Sequence, residues 1–212
     1  MTDVWSTRAA AFRDSPTHRE GADLDRLVEW AEGTTALDVA TGGGHVARRL
    51  REVGFQVVSS DPAPGMQPDV VCRAESLPFA DGSFDVVVCR IAAHHFEDVR
   101  AAIGEMARVS GGLVLIEDNL LCDEASEQAD RLRDPTHIRS YSEEEWRALL
   151  AEAGLEIEES ERYDKRVPVG DWLERVECRS EDALRVRELL AGRIDADDRL
   201  FIPSILLKAR KR

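Results

Sequence analysis

The stretch Ala36-Leu-Asp-Val-Ala-Thr-Gly-Gly-Gly-His45 constrains this chain more than any other. A short apolar strand ends in an acid and breaks into three consecutive glycines, a turn in which backbone can approach a ligand with no Cβ in the way. The helix expected over 46–53 would open with unpaired N–H groups directed at whatever sits above the sheet. A turn of this kind suits a nucleotide-like cofactor.

The rest of the sequence supplies the frame for that turn. Strand-like apolar runs at 36–40, 56–60, 70–72, 84–89, 113–117, 155–160 and 200–208 alternate with helix-like segments at 21–30, 46–53, 99–109, 143–153, 169–177 and 180–191. Such alternation predicts a mainly parallel sheet covered on both faces. Ser142 followed by Glu145 is a capping box that should open one of the helices. A chain of 212 residues with no repeat or long linker fits one α/β domain.

Composition narrows the partners. The 42 acids against 28 bases give a formal net charge of −14, so nucleic acid and other polyanions should be repelled. The one basic cluster, Lys208 to Arg212, is expected to be a solvated chain end. Asp3, Arg8, Arg13 and Asp14 interrupt the first residues, which leaves neither a secretory apolar core nor a membrane span, and a cytoplasmic protein is expected. Cys72, Cys89, Cys122 and Cys178 form no Cys-x-x-Cys pair, which speaks against a zinc knot or a redox dithiol.

Two cofactor classes can use the glycine turn. Gly42-x-Gly44-x-x-Ala47 matches the dinucleotide fingerprint, and Asp61 stands at about the offset of ~20 residues at which an acid accepts ribose hydroxyls. Asp38 points the other way. A carboxylate at the strand end, where a dinucleotide enzyme usually keeps an apolar residue, can face a cationic amino group, as a cofactor carrying an amino acid and a sulfonium would require.

Several motifs then resemble the class I S-adenosylmethionine-dependent methyltransferases, in the branch that includes the ubiquinone/menaquinone C-methyltransferases (methyltransferase type 11). They are the glycine motif at 37–44, Ser60-Asp61, the block Ala74-Glu75-Ser76-Leu77-Pro78-Phe79, the fourth-strand block 81–96, and Glu105 to Val109 with Gly111-Gly112. Residues 15–21 and Arg131 to His137 are similar to elements of a less described sub-branch. The resemblance implies a doubly wound, Rossmann-like, mostly parallel seven-stranded α/β sheet with an antiparallel last strand and helices on both faces. It implies one methyltransferase domain over 1–212, with 1–32 as amino-terminal lid and helices, and 33–212 as core with carboxyl-terminal lid insertions.

The same resemblance implies S-adenosyl-L-methionine as cofactor and a small-molecule acceptor. Cofactor-binding positions would be Asp38 at the amino group, Ala40, Gly42 and Gly44 in the loop, Asp61 and Pro62 at the ribose, Ala74 and Glu75 at adenine, and Arg90 at the methionyl end. Candidate catalytic groups are His94 and His95, of which one should face the methyl group, and His18 and His137 in lid segments. His45 should belong to the helix start. Arg133 and Asp134 are expected to form a surface ion pair, and Trp30, Trp146 and Trp172 to anchor the core.

Three departures carry their own expectations. Ala40 replaces a glycine, a mild change if its φ is negative; Arg73 stands where relatives carry an acid, which removes a partner for the adenine amine. The segment Asp61 to Asp69, with three prolines, is too short for a helical crossover, so the helix after the second strand should be missing and one side of the adenine pocket open. Pro203 inside the last strand should lie at an edge or irregularity. Besides a methyltransferase, the sequence leaves a non-catalytic S-adenosylmethionine-binding module and a nicotinamide-dependent oxidoreductase as alternatives.

Overall fold

The computed structural model describes residues 3–212. Its elements run α1 (Val4–Arg13), α2 (Pro16–Arg19), α3 (Ala22–Trp30), β1 (Thr35–Val39), α4 (His45–Glu52), β2 (Gln56–Asp61), β3 (Val70–Val71), β4 (Phe84–Arg90), α5 (Val99–Val109), β5 (Ser110–Asn119), α6 (Glu124–Arg133), α7 (Glu143–Glu152), β6 (Leu155–Pro168), α8 (Val169–Glu174), α9 (Ser180–Leu189) and β7 (Arg199–Lys211). The seven strands form one sheet in the order β3-β2-β1-β4-β5-β7-β6. Pairs from β3 to β5 are parallel, whereas β7 runs antiparallel to both β5 and β6, so the expected architecture holds.

Alternation along the central strands divides the core between two faces. Leu37, Val39, Val87, Cys89, Val114 and Ile116 pack on one side with apolar residues of α5 and α7; Ala36, Val86, Val88, Leu113 and Leu115 pack on the other with those of α3 and α4. Both sides of β1 and β4 are therefore buried, which is why these strands read as continuous apolar runs. A third cluster joins Ala129 of α6, Trp172 and Leu173 of α8, Val186 of α9, and Val167 and Leu200 at the ends of β6 and β7. It sits beside the sheet's carboxyl end and includes the half-buried Phe12 of α1.

Local chemistry accounts for the helix starts. Asp98 accepts from the Ala101 N–H at 3.0 Å to open α5, and Ser142 with Glu145 forms the expected capping box of α7. Trp30, Trp146 and Trp172 are all buried. The four cysteines are free thiols, and among the described residues no helix is long and apolar enough to cross a membrane.

The helix after β2 is absent, as its short connection requires. A single 3₁₀ turn, Pro64–Met66, stands in its place. The consequence differs from expectation, because α1 lies across this turn and covers the side that was expected to be open. Ala9 packs with Ala63 and Met66, Ser6 Oγ accepts from the Gly65 N–H at 2.8 Å, and Arg13 donates to the Gly65 carbonyl at 3.0 Å.

Other elements depart from the sequence-based expectation. Helices α1 and α2 fall within the lid and helices that the resemblance implied over 1–32 but had no bounds from periodicity, and α6 had no forecast; α1 has polar residues around much of its surface, and the tertiary contacts just described hold it. Strand β6 continues to Pro168 rather than 160 because every residue from Glu159 to Pro168 pairs with β7. Pro203 lies in β7, an interior strand, but next to Ser204, the last residue paired with β5, so its missing donor falls where that ladder ends. The basic cluster is not a solvated chain end. Residues 208–211 are inside β7, with Lys208 paired to Glu32 and Glu159, and Arg210 to Glu32 and Glu158. Nor do Arg133 and Asp134 pair with each other: Asp134 binds Arg8 at 3.0 Å, and Arg133 stacks on Trp172.

A Cβ at Gly65 would lie 2.5 Å from Ser6 Cβ. Gly65→Ala should therefore loosen α1 at a cost of about 1–3 kcal/mol. Hydrogen exchange should show the loss in α1 while β1, β4 and β5 keep their protection.

Candidate active site

Where β1, β2 and β4 end, the sheet and the α1–α2 segment enclose a cavity of about 420 Å³. The carboxyl edge of a parallel sheet is where ligands of open α/β proteins bind. Asp38, 1% exposed, lines this cavity; its Oδ2 accepts from Thr41 Oγ1 at 2.5 Å and from the Ala47 N–H of α4 at 3.0 Å. Burial pushes its pKa up to about 6. It forms no salt bridge among the described residues, so it is a buried acid without a cation.

The glycine loop is explained position by position. Gly42 and Gly44 have φ of 51° and 76°, where a side chain is strained. At Gly43 a Cβ would stand 2.7 Å from the Phe12 carbonyl oxygen, so this glycine admits the end of α1. Gly42 and Gly43 line the cavity, while Gly44 caps α4 outside it. His45, at the helix start as expected, is hydrogen-bonded through Nε2 to the Phe12 carbonyl at 3.0 Å. At the end of β2, Asp61 accepts from the Gly42 N–H at 3.0 Å and the Ala63 N–H at 2.9 Å, and with Pro62 it lines the cavity.

Ala40 has φ 54°, so its replacement of glycine is not mild. Ile91, just beyond β4, has φ 53°, an outlier for a β-branched residue. Both line the cavity. Strained backbone thus occurs at the ends of two adjacent strands beside the same space. Ala74 and Glu75 line the same cavity. Glu75 accepts from the Glu97 N–H at 3.0 Å and pairs with Arg73, which also bridges to Glu97.

Arg90 borders the cavity, yet its guanidinium is committed to buried carboxylates. It pairs with Asp23 of α3 and with Glu117 of β5 at 2.8 Å, and Lys165 of β6 binds the same two acids. Its Nη1 donates to the His18 carbonyl at 3.0 Å. Arg90 therefore fastens the amino-terminal segment to the core, a role the motif did not announce. His18 lines the cavity and bonds Ser15 Oγ through Nδ1 at 2.8 Å; burial, then Arg175 and Arg90, hold its pKa well below the usual histidine value.

The adjacent histidines diverge. His95 lines the cavity and its Nδ1 meets the Thr136 carbonyl at 3.0 Å; a carbonyl only accepts, so Nδ1 carries the proton and Nε2 a lone pair. Burial and the neighbouring His94 lower its pKa to about 3. His94 turns away, with Nδ1 2.6 Å from Asp118 Oδ1. Burial disfavours its charged form, but the Asp118 carboxylate outweighs this and its pKa is raised. His137, bonded to Glu127 at 3.1 Å, also lies outside the main cavity. His94 and His137 instead line a smaller cavity behind His95. Trp5, Phe12 and Met66 complete the apolar wall, and no periodicity in the sequence marked them.

A methyltransferase-domain family model matches residues 10–160. The uncharacterized methyltransferase YcgJ of Bacillus subtilis is 31% identical over 196 residues, covering 81% of this chain and 78% of the relative. The crystal structure of that protein superposes with a TM-score of 0.80 at 26% identity, covering 90% of this chain and 98% of the other. The chain is a class I S-adenosylmethionine-dependent methyltransferase. The demethylmenaquinone methyltransferase of Corynebacterium urealyticum is 34% identical, but over only 44% of this chain and 45% of its own length.

Membership in this family sets aside the dinucleotide reading of Gly42-x-Gly44-x-x-Ala47 and the non-catalytic module. The residues of the methyltransferase also suit its cofactor: a buried acid without a cation, an open glycine loop and a cavity of this volume are what a nucleoside with an amino-acid tail requires.

Two expectations follow for the methyltransferase. Because the folded pKa of Asp38 exceeds its ordinary 3.8, the folded form retains a proton that the unfolded chain has lost between pH 4 and 6. The contribution of Asp38 to stability is therefore largest below that window and declines as pH rises to about 6, by roughly 1–3 kcal/mol. Denaturant titrations of wild type and Asp38→Asn should diverge across this window, the variant lacking that decline. Ala40→Gly should relieve positive-φ strain and stabilise the fold by about 1 kcal/mol in the same assay.

Proposed function

We propose that this methyltransferase transfers a methyl group to a small-molecule acceptor, with S-adenosylmethionine held in the larger cavity. The observation that carries this placement is Asp38, a buried carboxylate beside the glycine loop that no cation among the described residues pairs with. Asp38 would take the cofactor's amino group, Asp61 the ribose hydroxyls beside Pro62, and Ala74 with Glu75 the adenine edge. Ala40 and Gly42 would form the floor, and Arg90 would hold the His18 carbonyl rather than contact the methionyl group through its own charge.

The cofactor supplies an electrophilic methyl group on a sulfonium; alignment and exclusion of water are the protein's part. Trp5 and Phe12 of α1 exclude water. His95, neutral through the physiological range, offers the Nε2 lone pair to an acceptor N–H or O–H and orients it without storing its proton. His18, which also lines the cavity, is likewise held neutral. His94 and His137 stand behind His95, outside the larger cavity.

Isothermal titration with S-adenosylmethionine, S-adenosylhomocysteine and NAD tests the reading. Saturable binding of the first two and none of NAD is expected. Asp61→Ala should weaken S-adenosylhomocysteine binding about 10–100-fold, the worth of hydrogen bonds to a charged group. Unchanged affinity in that variant would remove Asp61 from the site.

A further inference from the structure

The smaller cavity, about 40 Å³, lies behind His95 between the end of β5, α6 and the start of β7. At roughly 10–15 Å³ for each water-sized occupant it has room for about three heavy atoms. His95 lines both cavities. Leu190, Leu200 and Ile202 supply the apolar part of a lining that is otherwise mostly polar.

Accounting for the polar groups leaves a definite remainder. Glu127 accepts from Ser140 N–H and pairs with His137 and Arg131; Asp134 is held by Arg8 and Thr136. Arg133 donates Nε–H to the Trp172 carbonyl at 3.1 Å, and its guanidinium lies 4.1 Å from the Trp172 ring centroid. Its two Nη groups have no hydrogen-bond acceptor among the described residues. Arg193 reaches Ser126 Oγ at 2.7 Å and the Phe201 carbonyl at 2.6 Å, but no carboxylate. Asp130 is the one lining acid without a hydrogen bond or ion pair among the described residues. Asp130 and Asp134 act on Arg133, and Asp123 on Arg193, only through space, so what remains to be satisfied is not net charge but the two Nη groups of Arg133.

We propose that this cavity is a carboxylate subsite: the methyl acceptor carries a carboxylate that pairs with Arg133, while the atom to be methylated reaches past His95 into the larger cavity. A carboxylate presents two oxygens in one plane, the match for the two Nη groups that Arg133 leaves free. Arg133, held flat by Trp172, presents its Nη edge as a preorganised bidentate donor. The proposal rests on the methyltransferase reading and adds the chemical class of the acceptor.

The test uses ¹⁵N-labelled full-length protein saturated with S-adenosylhomocysteine, titrated with sodium acetate, with acetamide and with sodium chloride at matched ionic strength. Acetate should shift the Arg133 Nε–H and Trp172 indole resonances saturably, with a dissociation constant on the order of millimolar, and acetamide and chloride should not. Arg133→Met should abolish the Trp172 response, and Arg133→Lys, which keeps the charge without the fork, should weaken it about tenfold, both at unchanged S-adenosylhomocysteine affinity. A non-saturating acetate response, an equal response to acetamide, or an undiminished response in Arg133→Met would overturn the subsite. Absence of S-adenosylhomocysteine binding to wild type would instead overturn the methyltransferase reading, and the acetate titration remains readable on the cofactor-free protein.

Discussion

The connection from Asp61 to Val70 is too short and too rich in proline to hold a helix, and the amino-terminal half of the structure depends on that constraint. With only the turn Pro64–Met66 in the gap, α1 can lie where a crossover helix would otherwise pack, and at Gly65 and Gly43 it comes so close that a Cβ would obstruct it. Trp5 and Phe12 reach the cavity only because α1 occupies this position. A loss of secondary structure in one place thus becomes a wall of the binding site supplied from another.

A second constraint acts from beneath. Asp23, Arg90, Glu117 and Lys165 bring α3, β4, β5 and β6 to one buried point, with two acids and two bases in balance. Such a group need not add stability over apolar packing, yet removal of any one member leaves an uncompensated buried charge. The arrangement explains why Arg90 at a motif position serves the amino-terminal segment: its remaining donor meets the His18 carbonyl. The ligand-facing edge of the sheet and the segment that covers it are therefore joined through one guanidinium.

Legibility in the sequence followed the range of the interactions. β1, β4, α5 and the capping box of α7 were readable because burial on both faces, helical periodicity and a side chain capping its own helix are local signals. The missing helix could be read from chain length and proline alone. What covers the gap could not, since α1 is held by contacts to Ala63, Gly65 and Met66, far along the chain. For the same reason Asp38 and Asp61 were found at strand ends, whereas the division between His94 and His95 was visible only as an either-or. It is decided by Asp118 and Thr136. The sign of φ at Ala40 was likewise beyond a one-residue pattern.

Among the described residues β6 has no hydrogen-bonded neighbour strand except β7, and α8 and α9 are made between them. During synthesis β6 must therefore wait, both edges open, until β7 has left the ribosome, and non-local pairing of this kind is slow and prone to intermolecular capture. Its sequence is suited to the delay: Glu156, Glu158, Glu159, Glu161, Arg162, Asp164, Lys165 and Arg166 crowd a strand with few apolar residues. Charges that pair across the finished sheet also act earlier, as gatekeepers against aggregation while the sheet is still incomplete.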